Sequence, residues 1–202
     1  SDVYKRQIIG EAMPQHTGGF TINGNWKAID FSVGFTYQIG GDVYNANAMH
    51  SLMGNKDNSA GQNRLKFVSE TFKYYDVDAN GDLMLVKDPT ALAALNANTN
   101  YSSFFSEYGI VSSKFIEDAS YLRLNTLTVG YTFPKNWMNK IGLQNARVYF
   151  TGSNLFCIDG YSGIDPDVNT KTDGKDGFPT PYFDYQSYPK ARTYTFGVNL
   201  TF

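Results

Sequence analysis

Asp76-Val77-Asp78-Ala79-Asn80-Gly81-Asp82 places three carboxylates and one amide at alternate positions. Oxygen donors spaced in this way can converge on a hard cation such as calcium, and Gly81 permits the sharp turn that would bring them round. An EF-hand loop closes on a Glu at its twelfth position. Here that position is Lys87, and Asp88 comes one residue late. The same residue types also build an ordinary polar turn. Asp76, Asp78, Asn80 and Asp82 therefore carry two readings, a calcium loop and a solvated turn, and the sequence does not choose between them.

A second concentration of usable side chains lies between 157 and 190: Tyr161, Phe178, Tyr182, Phe183, Tyr185 and Tyr188. Flat rings stack on sugar faces and anchor protein interfaces, and they also pack a loop onto its neighbours. Packing or contact with a partner protein ranks ahead of direct sugar stacking. No carboxylate is placed by sequence beside a nucleophile or an acid–base partner, so the chain is not read as an enzyme. Cys157 is the single cysteine, which excludes an internal disulfide; it reads as a small, partly buried apolar residue. His16 and His50 stand far apart in loop-like sequence, and no Cys/His cluster is present. Beyond the calcium reading, no cofactor is expected.

The elements that would position these residues are strands. Tyr and Phe number 15 each and Gly 19, a composition suited to pleated surfaces and turns. Five segments alternate apolar and polar residues with period two. Phe20, Ile22, Gly24 and Trp26 form one row within 19–27. Ile29, Phe31, Val33, Phe35, Tyr37 and Ile39 form the next, after a tight turn near Lys27 and Ala28. The third segment, 120–133, sets Leu127, Val129, Tyr131 and Phe133 opposite a threonine-rich row. Its first half is out of phase at Leu122 and Leu124; either a bulge near Asn125 resets it, or those leucines lie beyond the membrane band. Ala146, Val148, Phe150 and Gly152 define the fourth, 146–156. Tyr194, Phe196, Val198, Leu200 and Phe202 define the last, 191–202.

The connections alternate short, long, short, long, as in an outer-membrane barrel with short periplasmic turns and long extracellular loops. The long ones are 40–119 and 157–190. The connection after Pro134 reads as a brief helix closed by Gly142, with Trp137 and Met138 at the membrane boundary. Asp88-Pro89 opens a second short helix that ends near Leu95. No apolar run approaches the roughly 20 residues of a membrane helix, and a mean hydropathy of −0.37 fits a barrel as well as a soluble sheet. The net charge of −2 gives no basic face for nucleic acid. A soluble or surface-attached β-rich module for carbohydrate binding or adhesion would alternate too. Polar rows of Thr, Asn, Gly and Ser, long apolar rows, and aromatics at strand ends (Trp26, Tyr37, Tyr131, Phe133, Tyr194, Phe202) favour the barrel. Ser1 to Gln7 read as a sequencing or assembly scar outside the fold. The expected fold is thus an all-β, antiparallel transmembrane barrel portion of about five strands over 8–202.

The stretch Glu117-Asp118-Ala119-Ser120-Tyr121-Leu122-Arg123-Leu124-Asn125-Thr126-Leu127-Thr128-Val129-Gly130-Tyr131-Thr132-Phe133-Pro134 resembles the late-barrel signature of the SusC/RagA-like TonB-linked outer-membrane proteins. Asn145 to Tyr149, Asn154-Leu155-Phe156, Tyr161 to Val168, Tyr188 to Phe202 and Gly40 to Asn45 are similar to neighbouring parts of that family. Cys157-Ile158-Asp159 departs from it where a Thr-containing tripeptide is expected. The resemblance implies the C-terminal part of a barrel of about 22 strands, plugged by an N-terminal domain. It implies an outer-membrane importer of oligosaccharides or peptides, driven through a TonB complex that contacts the plug. A SusD-like lipoprotein would cover the mouth, and Tyr161, Tyr182, Phe183, Tyr185 and Tyr188 are the candidates for contact with substrate or with that lipoprotein. Outer-membrane lipid would surround the wall, and the barrel assembly machinery would read the terminal strand through Phe202.

Overall fold

The structure, a computed structural model, describes residues 7–52, 63–101, 112–168, 182–185 and 187–202. In chain order its elements are β1 (His16–Trp26), β2 (Ile29–Ile39), β3 (Asp42–Asn45), α1 (Ala46–Leu52), β4 (Tyr75–Val77), β5 (Leu83–Leu85), α2 (Pro89–Leu95), β6 (Ile116–Asp118), β7 (Tyr121–Thr132), α3 (Lys135–Met138), β8 (Asn145–Asp159), β9 (Phe183–Asp184) and β10 (Thr193–Thr201). The chain divides into two compact units, one made of 1–45 with 116–202 and the other of 46–115.

The first unit is built on a five-stranded sheet of order β1-β2-β7-β8-β10 in which every neighbouring pair is antiparallel. All five expected strands are present. Register places apolar residue against apolar residue across the sheet. Phe31 stands opposite Val129, which faces Phe150, which faces Phe196. Ile29, Tyr131, Val148 and Val198 make the adjoining row. Because side chains alternate with period two, one such row fixes the face of all the others. The expected bulge falls at Asn125. Strand β2 steps directly from Gly34 to Phe35, while β7 steps from Thr126 to Leu124. Leu124 and Leu122 then pair with Phe35 and Tyr37, and so rejoin the apolar face. Strand β8 answers with its own irregularity: Asn154 and Leu155 lie between the residues paired with Thr126 and Leu124, and Asn154 takes a φ of 53°. Asn is among the few side chains that accept this left-handed conformation.

The two ends of the sheet differ. At the turn end, Trp26 pairs with Ile29 across Lys27 and Ala28, with Lys27 left-handed at φ 55°. The other connection there is α3, started at Pro134 and followed by a 3-10 turn that Gly142 ends at φ 78°. At the loop end, β3 pairs antiparallel with β6 and parallel with β9 to form a small second sheet. Val43, Ala119, Tyr161 and Val168 are buried together beside it, with Tyr182 packed on them.

The unit 46–115 has structure of its own where the sequence showed mainly a long loop. A β4-β5 hairpin spans Tyr75–Leu85. Helix α2 begins as expected, with the Asp88 carboxylate accepting the Ala91 N–H at 2.7 Å and Pro89 in the first turn. Asn96 ties this helix to the segment leading into β4 by exchanging hydrogen bonds with the backbone of Lys73. Phe67 packs against Tyr101 with the rings tilted and 4.7 Å between centroids. The main strands also run beyond their expected limits, β1 from His16 and β8 through Asp159.

Candidate functional site: the polar face of the sheet and its loop end

The face opposite the apolar rows is lined by small polar residues. Ser32, Thr128, Thr151 and Thr195 form one row and Gly34, Thr126, Ser153 and Thr193 the next. The Thr128 and Thr151 hydroxyls lie 3.1 Å apart and share a hydrogen bond. Toward the turn end the row is Asp30, Gly130, Tyr149 and Gly197. Arg147 reaches across β7 and donates to both Asp30 carboxylate oxygens, from Nε at 3.0 Å and Nη2 at 2.5 Å. That reach exists because Gly130 lies beneath it. A Cβ at Gly130 would stand 2.3 Å from Arg147 Nη2 and 2.6 Å from Asp30 Oδ1. Gly197 similarly accommodates the Tyr149 ring, which a Cβ there would meet at 2.1 Å. Composition hid this pair among rows that carry little charge. The usable signal was opposite charges on the polar rows of two strands, with a glycine on a third.

At the loop end the polar face is covered by the small sheet and its connections. Arg123, 6% exposed, donates from Nη2 to Asp165 Oδ1 at 2.6 Å. Asp165 also accepts the N–H of Asp167. Gln38, 3% exposed, donates to the carbonyls of Ala119 and Gly40 and accepts from the Tyr182 hydroxyl at 3.0 Å. Glu117 binds the Ser162 N–H and hydroxyl at 2.7 Å each, and accepts from Asn45 Nδ2. Lys190 pairs with Asp167. The segment after β8 is therefore fastened inward over the polar face by side chains from β2, β6 and β7.

The aromatic candidates separate on this platform. Tyr161 is 7% exposed and its hydroxyl donates to Asp184 at 2.7 Å. Burial pushes its phenol well above the ordinary range, and the Asp184 carboxylate adds to that. Tyr182 is half-buried at a φ of 60°, with burial raising its phenol also. Phe183 stacks on Tyr44 at 5.4 Å. Tyr185 and Tyr188 are exposed, Tyr188 at 92%. Phe178 lies outside the described residues, as do Ser1 to Arg6 of the leading segment. Phe202 follows β10 at the turn end and is exposed.

In the β4-β5 turn one carboxylate oxygen of Asp76 and one of Asp78 are engaged with backbone. Asp78 Oδ1 accepts the N–H of Asn80 and of Asp82, both at 2.9 Å, and Asp76 Oδ1 accepts from Val77 at 2.8 Å. Gly81, at φ 91°, donates its N–H to the Asp78 carbonyl. The bonds from Asp82 and Asn80 hold the Asp78 carboxyl below its usual range. Among the described residues no three His, Cys, Asp or Glu side chains converge on a metal position. Cys157 sits half-buried on β8.

An antiparallel sheet with one continuous apolar face, one small-polar face and a loop platform at a single end is the wall of an outer-membrane β-barrel. The comparisons agree. The chain is 30% identical over 198 residues, 98% of its length, to TonB-dependent receptor P3 of Formosa agariphila. It is 32% identical over 142 residues to TonB-dependent receptor SusC of Bacteroides thetaiotaomicron. Two solved structures share the fold: the RagAB peptide transporter, with a TM-score of 0.66 at 22% identity over 95% of this chain, and the RagAB peptide importer in its open-open state, with 0.65 at 21% over 97%. No family model matches. The chain belongs to the SusC/RagA-like TonB-dependent receptors and sits in the outer membrane of a Gram-negative bacterium. It spans 17% of the length of the first of these relatives and 12% of the second.

Proposed function

We propose that this chain forms the C-terminal wall of an active importer that takes oligosaccharides or peptides across the outer membrane. The carrying observation is the sheet itself, whose apolar rows face lipid while Thr, Ser and Gly rows and the Asp30–Arg147 pair line the interior. The turn end then faces the periplasm and the loop end the outside. On this reading a SusD-like lipoprotein docks over the platform, where Tyr185 and Tyr188 are the exposed rings and Tyr161 is buried within it. Energy arrives from TonB through a plug domain, and the chain performs transport rather than catalysis. The peptide class is the one that RagAB, a peptide importer, takes, and the oligosaccharide class follows from the family resemblance. Phe202, exposed at the end of the terminal strand, would be read by the assembly machinery.

The test is growth on panels of defined glycans and of peptides in the native host. Deleting the whole receptor should abolish growth on one class, and inactivating TonB should reproduce the defect. Restored growth should require the full-length gene. A deletion strain indistinguishable on every glycan and peptide, with a receptor released without detergent, would defeat the proposal.

A further inference from the structure

We propose that the turn end of the sheet binds an anionic phospholipid, its acyl chain in a groove on the apolar face and its phosphate against Lys27 and Lys135. The groove encloses about 320 Å³ between Ile29, Val129, Tyr131, Val148, Phe150 and Phe196. It exists because two short side chains, Val129 and Val148, lie diagonally between three rings: Val129 faces Phe150 across the ladder, and Val148 faces Tyr131. These six belong to the apolar rows, while Gly130 and Tyr149 of the polar rows complete the lining, so the groove opens toward lipid, and a hydrocarbon chain is the occupant that these surroundings supply.

Both connections at this end carry a lysine within four residues of a groove-lining residue. Ile29, in its wall, begins β2 two residues after Lys27, and Tyr131, also in its wall, leads through Phe133 and Pro134 to Lys135. The Thr132 N–H donates to the Ala28 carbonyl at 2.8 Å and joins the two connections. Lys27, Lys135 and Lys140 are all exposed. Among the described residues of 24–32, 127–150 and 195–202 the one acidic side chain is Asp30, and it lies on the opposite face bound to Arg147. Trp26 and Trp137, 63% and 58% exposed, mark the same level, the depth at which indole rings meet headgroups. Lys27 Nζ lies 4.9 Å from the Trp26 ring, and an apolar groove beneath a cationic rim selects a lipid with a net negative head over a zwitterionic one of equal chain length. The inference rests on the orientation given above but not on transport, because lipid binding is read without it.

Native mass spectrometry of the full-length receptor in detergent tests this, with phosphatidylglycerol and phosphatidylethanolamine of identical chains as probes. Wild-type protein should retain phosphatidylglycerol preferentially. The Lys27→Gln/Lys135→Gln variant should lose about fivefold in phosphatidylglycerol affinity per lysine while phosphatidylethanolamine binding stays unchanged. Val129→Phe, or the milder Val148→Leu, should weaken both lipids by filling the groove, with heat-modifiable migration confirming that the barrel is folded. Lys66→Gln should change nothing, and excess inorganic phosphate should fail to displace the lipid. Equal retention of both lipids by wild type, an unaltered preference in the double lysine variant, or full displacement by phosphate would overturn the proposal. A protein that needs no detergent would instead fail the barrel reading, which separates the two.

Discussion

The five-stranded sheet and the small three-stranded sheet at its loop end solve opposite solvent problems within one compact unit. In the main sheet the large apolar residues point away from the protein: Phe20, Ile22, Phe196 and Val198 are about half exposed or more. In and beside the small sheet they point inward, with Val43 and Ala119 at 0% exposure. Hydrophobic burial stabilises the second in water, whereas the first needs hydrocarbon to cover it. Polar groups invert in the same way. The main sheet spreads hydroxyls over most of its interior face, while the loop end buries Arg123, Asp165 and Asp184 and pairs them one by one, Arg123 with Asp165 and Asp184 with the Tyr161 hydroxyl, leaving Arg123 Nε and Asp184 Oδ1 without a hydrogen-bond partner. What decides the stability of a segment here is therefore which solvent its apolar side meets, and not how apolar its sequence is.

Removing one buried charge should give the largest effect. Arg123→Ala leaves Asp165 buried without its guanidinium partner, a loss of about 3–5 kcal/mol for a pair of this kind. The segment 160–168 should then become the first site of proteolysis in the refolded receptor. Replacing both members, in Arg123→Leu/Asp165→Leu, should recover most of that loss, since no lone charge remains. A single variant as resistant as wild type would mean that the platform is held by its apolar core alone.

The matching perturbation of the main sheet is a charge on its membrane face. Leu127, opposite Val33 and Gly152 in mid-strand, should cost about 2–4 kcal/mol as Lys. Lysine at Tyr188, on the loop end, should cost almost nothing. Urea midpoints of the receptor folded in detergent or vesicles make the comparison, and equal shifts at the two positions would erase the distinction between the regions. Deleting Phe202 should reduce the amount of heat-modifiable barrel in the outer membrane more than it changes uptake per assembled molecule. Normal assembly with selective loss of uptake would assign that residue elsewhere. A smaller effect of opposite sign is expected at the turn end. Lys27 holds a φ of 55° that costs a side chain about 1 kcal/mol, so Lys27→Gly should raise the midpoint slightly.

The main sheet was legible because period two, one bulge and two turns contain all of its instructions. Leu122 and Leu124 broke the phase, and the break itself located Asn125. The loop end was legible only in part, because its order depends on partners far apart in sequence. Arg123 meets Asp165 42 residues later, and Gln38 meets Tyr182 144 residues later. Nothing near Asp165 announces that its carboxylate is buried, and nothing near Tyr161 separates it from the exposed Tyr188. The Asp30–Arg147 pair, 117 residues apart, escaped for the same reason, although Gly130 carried a usable hint.

The finest test lies in the other unit, at Asp78, where the calcium and turn readings diverge. Its carboxylate accepts two backbone N–H groups, and its folded pKa is lowered by them. A carboxyl lowered on folding contributes stability that is present above its unfolded value and lost as pH falls through the folded value. Protease resistance of the β4-β5 hairpin should therefore hold at neutral pH and decline as the solution is acidified below about 3.9, the ordinary aspartate pKa. Asp78→Asn keeps an oxygen that can accept both N–H groups but removes the titration, so it should hold most of the resistance and lose the pH dependence. Asp78→Ala should lose the resistance at every pH. Calcium is examined on the same samples. With Asp78 Oδ1 already engaged by backbone donors, resistance should be equal with calcium and with a chelator. Protection that appears only with calcium, and disappears in Asp78→Asn, would show that these oxygens turn toward a cation and that the hydrogen-bonded turn is not the state that functions.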